Sequence, residues 1–277
     1  MKLIIRKKDS VSSILMFIFN VFLLPSGQKS IGLSNVLKIL GAIGKNETTT
    51  RMALSRAVQN GLLAKTKDCG EVSYHLTPLG KSAIDSWRLT IKNYQDRIRL
   101  QHQPWNGNWQ IVTFSIPGTK QSEKGEFTDY LENLGFGILN KGVWISPYDY
   151  SQIVAAMAMK LGIRNHVHLF SACPETGQSV PAIVDCVWNI DKLKKRYARL
   201  SRTIEQALAG SESLTPREIL PLLHGLGLEF LEVIQDDPQL PLQILPGKWS
   251  GGDCAGKFMQ LRERLLPRAK QFINSLI

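Results

Sequence analysis

Thr48, Met52, Ser55, Arg56 and Gln59 recur at spacings of three and four, so a helix over residues 48–60 gathers them on one side, with Arg51 at its margin. Thr50, Ala53, Leu54 and Ala57 gather on the other side, with Val58 at its edge. The first set has the chemistry of nucleic-acid recognition. Guanidinium groups pair with phosphate oxygens and guanine edges, and hydroxyl and amide side chains serve both backbone and bases. Met52 suits apolar contact with a thymine methyl, or is simply a tolerated exposed side chain. The second set is small and apolar, which lets the helix lie close against its neighbours.

A second group of cations follows. Leu62-Leu63-Ala64-Lys65-Thr66-Lys67 and Val72-Ser73-Tyr74-His75-Leu76 flank Asp68-Cys69-Gly70-Glu71 and read as a hairpin around a glycine turn. Lys65 and Lys67 lie two apart, share a strand face and suit the phosphate backbone beside a groove. Asp68 and Glu71 at the tip argue against deep insertion into a minor groove.

These side chains need a scaffold, and the flanking sequence supplies one. Ser12 or Ser13 is expected to cap a first helix that runs to Leu24 and stops at Pro25-Ser26-Gly27. A second helix is expected over 33–43, with Val36, Leu37 and Leu40 on one face. The third, capped by Asn46 or Thr48, runs through Asn60 before Gly61. Thr77-Pro78 opens a connector helix to about residue 100, in which Ile84, Trp87 and Ile91 form an apolar face, Leu89 widens it, and Arg88, Lys92, Arg97 and Arg99 add charge. Helix, helix, helix and hairpin make a winged helix-turn-helix, assigned to residues 1–92, with a helical linker over 93–104.

Charge follows the same division. The chain of 277 residues has a net charge of +11, yet residues 1–104 hold 16 Lys and Arg against 6 Asp and Glu, while residues 105–277 hold 18 against 17. Local cationic density of this kind is what neutralising phosphates requires. Lys2, Arg6, Lys7 and Lys8 precede an apolar run over 14–24 that superficially copies a signal peptide. The run is short, contains Asn20 and lacks a small-residue cleavage pattern, so a buried first helix and a cytoplasmic location are expected, with no membrane partner. Cys69, Cys173, Cys186 and Cys254 are widely spaced, which fits neither a zinc knuckle nor a disulfide framework.

Pro104-Trp105-Asn106-Gly107-Asn108 marks a boundary. Beyond it come an expected strand over 109–116, a helix with Phe127 and Leu131, strands over 136–139 and 143–146, a helix from about Ser151 to Gly162, and a strand over 166–170. That is β-α-β-β-α-β, the order of a ferredoxin-like sandwich, assigned to 105–186 as a dimerisation or coupling domain. His166 and His168 share a strand face without a third ligand candidate, so neither a metal nor a cofactor is expected. Residues 187–277 read as mainly helical and as a possible effector-binding domain, with the basic run Lys192, Lys194, Lys195, Arg196, Arg199 and Arg202 near their start. A last helix is expected over 253–273 with a kink at Pro267, and Trp249 is expected to pin its loop. The fold class is thus α+β, in three parts.

Taken together, the chain resembles the phenylacetic acid degradation repressor family, the PaaX-like transcriptional regulators. The resemblance rests on Arg51-Met52-Ala53-Leu54-Ser55-Arg56, Gly61-Leu62 and Tyr74-His75-Leu76-Thr77. It continues through Trp105-Asn106-Gly107-Asn108-Trp109, Phe114-Ser115-Ile116-Pro117, Leu134-Gly135-Phe136-Gly137 and Gly142-Val143-Trp144-Ile145-Ser146-Pro147. It ends in Asp237-Pro238-Gln239-Leu240-Pro241 and Leu245-Pro246-Gly247-Lys248-Trp249. The resemblance implies a non-enzymatic homodimeric repressor that binds a palindromic operator in double-stranded DNA and is released by an aryl-coenzyme A thioester such as phenylacetyl-CoA. It also implies that the middle sheet is similar to the small nuclease of CRISPR spacer acquisition. Ser115 stands where relatives often have Asp, and the loop 119–124 carries lysines where they tend to have arginines. The alternative to a repressor is a metal-dependent nuclease built on that sheet, which needs a carboxylate or histidine cluster.

Overall fold

Ser10, rather than Ser12 or Ser13, caps the first helix, α1 (Val11–Ile18), its hydroxyl accepting from the Ser13 amide at 3.1 Å. Ser13 is instead fully buried and its hydroxyl meets Nε2 of His224 at 2.9 Å. The apolar run continues through a wide π turn at Phe19–Leu23 and a tight turn at Leu24–Ser26, closed by Gly27 in the left-handed region. A helix apolar on nearly every side must be covered on nearly every side. The third helix packs on one side of α1, and the His224 ring stands 5.5 Å from that of Phe17. The computed structural model describes residues 10–68, 70–175 and 179–277, so Lys2, Arg6, Lys7, Lys8 and Cys69 lie outside the described residues.

A short strand that the sequence pattern did not signal, β1 (Ser30–Gly32), precedes α2 (Leu33–Ala42) and α3 (Glu47–Gln59). The hairpin is β2 (Leu63–Asp68) and β3 (Glu71–Leu76), and β1 pairs antiparallel with β3 to give the order β1-β3-β2. Three residues are too few to show a period, and Ile31 earns its place only through burial opposite Tyr74.

Helix α4 (Pro78–Gln101) starts at a knot around Thr77. The Thr77 hydroxyl accepts from the Gly80 amide at 3.0 Å and reaches back to the carbonyls of Gly61 and Leu62. A Cβ at position 80 would lie 2.1 Å from the Leu62 carbonyl oxygen, so only glycine lets α4 approach the turn that leaves α3. Ile84 and Trp87 are buried as expected, but Leu89 is 47% exposed. Two residues past Trp87 it has turned about 200° around the axis and faces away from the core.

The chain divides into two compact units. Of the described residues, one unit comprises 10–89 with Ala198–Glu232 and Gly252–Ile277, and the other Thr90–Tyr197 with Val233–Gly251. The second unit holds β4 (Trp109–Phe114), α5 (Gln121–Asn133), β5 (Gly137–Asn140), β6 (Val143–Ser146), α6 (Ser151–Lys160) and β7 (Val167–Ala172). Its sheet is antiparallel in the order β5-β6-β4-β7, which is the ferredoxin-like arrangement expected. Strand β4 ends at Phe114 rather than Ile116 because its neighbours begin pairing at Val143 and Val167.

Both faces of this sheet are covered. Val112, Trp144 and Val167 pack with Phe127, Leu131, Val154 and Ala158 of α5 and α6. On the other face Trp109 and Ile145 pack with Val184 of α7 (Val180–Trp188) and with Leu240, Ile244 and Leu245. Gly137 is the point of closest approach, since a Cβ there would stand 2.1 Å from Val187. Trp249 pins its loop as expected, its ring 5.5 Å from that of Tyr197.

Arg97 does not add surface charge. It is buried, and its guanidinium donates to the carbonyls of Asn133 at 2.5 Å and Asp237 at 3.3 Å. The buried Asp237 carboxylate accepts from the Tyr197 hydroxyl at 2.6 Å and from the amide and side chain of Gln239, each at 2.8 Å. This network holds the Asp237-Pro238-Gln239 turn, in which Gln239 has a φ of 55°, although Gln239 Oε1 and Arg97 Nε are buried without a partner among the described residues.

The rest of the chain is helical: α8 (Ile190–Ala209), α9 (Pro216–Gln235) and α10 (Gly251–Leu276). The basic run of α8 is partly neutralised, Arg196 by Asp236 at 2.5 Å and Arg199 by Glu229 at 3.1 Å. Helix α10 begins earlier and ends later than expected, with Pro267 inside it. Arg264 and Arg268 tie it to the loop after α8 through Ser211 and Leu214. No helix among the described residues is long and apolar enough to cross a membrane.

Candidate nucleic-acid interface

Helix α3 starts at Asn46, whose side chain accepts from the Thr49 amide at 2.7 Å, and ends at Asn60. Thr50, Ala53, Leu54 and Ala57 are buried, as the spacing requires. Thr48, Arg51, Met52, Ser55, Arg56 and Gln59 are all exposed, Met52 to 57%. The helix therefore presents one polar and cationic face and keeps its small residues for packing.

The hairpin adds a second cationic group on a defined side. Lys65 pairs with Tyr74 and Lys67 with Val72, so alternation puts both lysines on the same sheet face as Leu63, Tyr74, Leu76 and Ile31. Those four are buried, and α3 packs against β2, so this is the face turned toward the helices. Lys65 and Lys67 continue it beyond the edge of the core, where both are exposed. Asp68 and Glu71 pair with each other on the opposite face, and the Glu71 carboxylate comes within 2.7 Å of where a Cβ on Gly32 would stand. The acids at the tip are therefore turned away from the lysines.

Electrostatics link helix and hairpin. Burial pushes the Tyr74 phenol up from its ordinary value, and the charge of Arg51 opposes that shift. Arg51 is also held by Glu47 one turn earlier, Nε to Oε1 at 2.7 Å. Glu47 is a contributor that the spacing of the outer face did not include, and Thr77, expected only to open α4, also ties the turn after α3 to it. Glu47 was visible as an acid four residues before Arg51, a spacing that brings helical side chains together. The link from Thr77 to Gly61 has no local signature, since it joins residues sixteen apart.

In the ferredoxin-like unit, His166 and His168 share a cleft with Lys141, Ser115 and Asn165. No group of three or more His, Cys, Asp or Glu among the described residues is placed to hold a metal ion.

Comparison with known proteins covers almost all of these elements. Residues 11–80 match the PaaX-like protein family, residues 102–184 the PaaX protein central Cas2-like domain, and residues 188–275 the PaaX-like protein C-terminal domain. The chain belongs to the PaaX-like family. PaaX-like proteins are transcriptional regulators and not enzymes. The transcriptional repressor PaaX of Escherichia coli strain K12 is 23% identical over 251 residues, which span 88% of this chain and 77% of that protein. An uncharacterised protein, Rv0674 from Mycobacterium tuberculosis, shares the fold with a TM-score of 0.56 at 19% identity, over 94% of this chain and 98% of its own. In this PaaX-like chain the family match over residues 11–80 contains α3 and the hairpin whole.

Proposed function

We propose that this PaaX-like chain is a cytoplasmic homodimeric repressor that binds a palindromic operator and is released from it by an aryl-CoA thioester such as phenylacetyl-CoA. The observation that carries the DNA-binding part is the shared exposure of Arg51 and Arg56 on α3 and of Lys65 and Lys67 on the helix-facing side of the hairpin. A helix of this width enters a major groove, its arginines reach base edges and phosphates, and the hairpin lysines meet the neighbouring backbone. Thr48, Met52, Ser55 and Gln59 complete the reading face.

The division of labour follows the sequence segments: reading by residues 1–92, linkage by 93–104, pairing and coupling by 105–186, and effector binding by 187–277. Dimerisation and the thioester rest on the family resemblance. The nuclease alternative loses its footing in the histidine cleft, whose lining holds no carboxylate for a hard cation.

Genomic footprinting of the purified protein, followed by operator release with a panel of acyl-CoA thioesters, tests the proposal. Protection of a palindromic site and its loss with an aryl-CoA support it. Binding that ignores sequence, or protection that no thioester relieves, overturns the corresponding half.

A further inference from the structure

Three backbone segments end together at one margin of the ferredoxin-like sheet. Strand β4 runs antiparallel to both β6 and β7, so its last residues lie beside the first residues of those two. Thr113, Phe114 and Ser115 come from β4, Lys141 and Gly142 from the turn before β6, and Asn165, His166 and His168 from the approach to β7. They line a cleft of about 410 Å³. Two main-chain bonds fix its floor, from the Phe114 amide to the Gly142 carbonyl and from the Ser115 amide to the His166 carbonyl, each 3.1 Å. Gly142 has a φ of 77°, and a Cβ there would stand 3.1 Å from the Phe114 carbonyl oxygen, so glycine keeps this turn tight.

The lining has one sign. It carries one lysine, two histidines, two hydroxyls and one carboxamide, and no Asp or Glu. Two histidines with a lysine make a poor cation site, because the ammonium repels a metal and the set lacks a third ligand. The same groups are donors suited to anionic oxygen. Phe114 is the one apolar side chain in the lining, so the cleft suits a charged group far better than an aromatic one.

We propose that this cleft binds the phosphate groups of a soluble small molecule, with the Lys141 ammonium as the main charge and His166, His168 and Ser115 as donors around it. Its role as the phosphate end of an effector site rests on the reading of the chain as a ligand-released repressor and moves that end of the effector from residues 187–277 to the 105–186 segment; its ability to hold phosphate rests on neither.

Calorimetric titration of the full chain with inorganic pyrophosphate, in a buffer free of phosphate, tests the site directly. Binding is expected in the unmodified protein and should weaken about tenfold or more in Lys141→Ala, with recovery in Lys141→Arg. Lys160→Ala, an exposed lysine at the end of α6, is expected to leave it unchanged. Operator affinity without effector should be equal in Lys141→Ala and the unmodified chain. No pyrophosphate binding, or equal binding in Lys141→Ala, overturns the proposal. A fall in operator affinity in that variant also overturns it, because the phosphate recognised would then be that of DNA. Thioester release of the operator without pyrophosphate binding sinks the cleft and spares the repressor reading, and the converse result sinks only that reading.

Discussion

Glu47 and Arg51 face each other across one turn at the start of α3, with Arg51 Nε donating to Glu47 Oε1 at 2.7 Å. Both side chains are more than half exposed, 52% for Arg51 and 62% for Glu47, so the pair contributes only a few tenths of a kcal/mol to the helix. Its effect is directional. The carboxylate holds the guanidinium on the outer face and, on the proposed reading of α3 as the DNA-binding face, sets a negative charge beside the arginine that would meet phosphate.

Removing either partner should therefore act on DNA binding in opposite directions. Arg51→Ala, like Arg56→Ala, is expected to cost about 1–3 kcal/mol of operator affinity if the side chain reads a base. Glu47→Ala should instead tighten binding to unrelated duplex at low salt, by removing repulsion. Fluorescence anisotropy with operator and scrambled duplexes separates these effects. Unchanged operator affinity in both arginine variants would remove α3 as the reading face.

The hairpin lysines should behave differently from the arginines. Lys65 and Lys67 occupy a strand face that extends past the core, a position that on the proposed function suits backbone contact rather than base readout. Each alanine substitution is expected to weaken operator and scrambled DNA by the same factor and to reduce the slope of log K against log salt by about one. A loss confined to the operator would assign these lysines to base recognition instead.

Asp237 makes the stability of its unit depend on pH. Burial pushes its carboxyl above the ordinary 3.8, against the pull of the Tyr197 and Gln239 hydrogen bonds and the Arg97 charge. The folded protein thus holds this proton to higher pH than the unfolded chain does. The group's contribution is fully present below the unfolded value and is lost as pH rises through the folded one. Asp237→Asn keeps the shape, gives up part of the hydrogen bonding at every pH, and removes the titration. Urea midpoints measured from about pH 4 to 8 should show the variant gaining on the unmodified protein as pH rises. Parallel profiles would show that Asp237 does not titrate in this range.

What could be read from the sequence is what depends on period and on near neighbours. The division of α3 into a buried set and an exposed set follows from 3.6 residues per turn, and every residue placed on either set lies where the spacing put it. The pairing of Lys65 with Lys67 on one face follows from the period of two, and the β-α-β-β-α-β order from the alternation of the two periods. The tertiary structure decided everything that required a partner far along the chain. Ser13 reads as a helix cap until His224 buries it, and Arg97 reads as surface charge until Asn133 and Asp237 enclose it. β1 exists because β3 offers it an edge, and Asp68 and Glu71 avoid the lysine face because register sends them to the other one. The cleft around Lys141 joins residues 113–115, 141–142 and 165–168, which no local pattern connects. A side chain's periodicity fixes its direction on its own element, but its burial and its partner depend on which element packs there, and that is settled only by the whole fold.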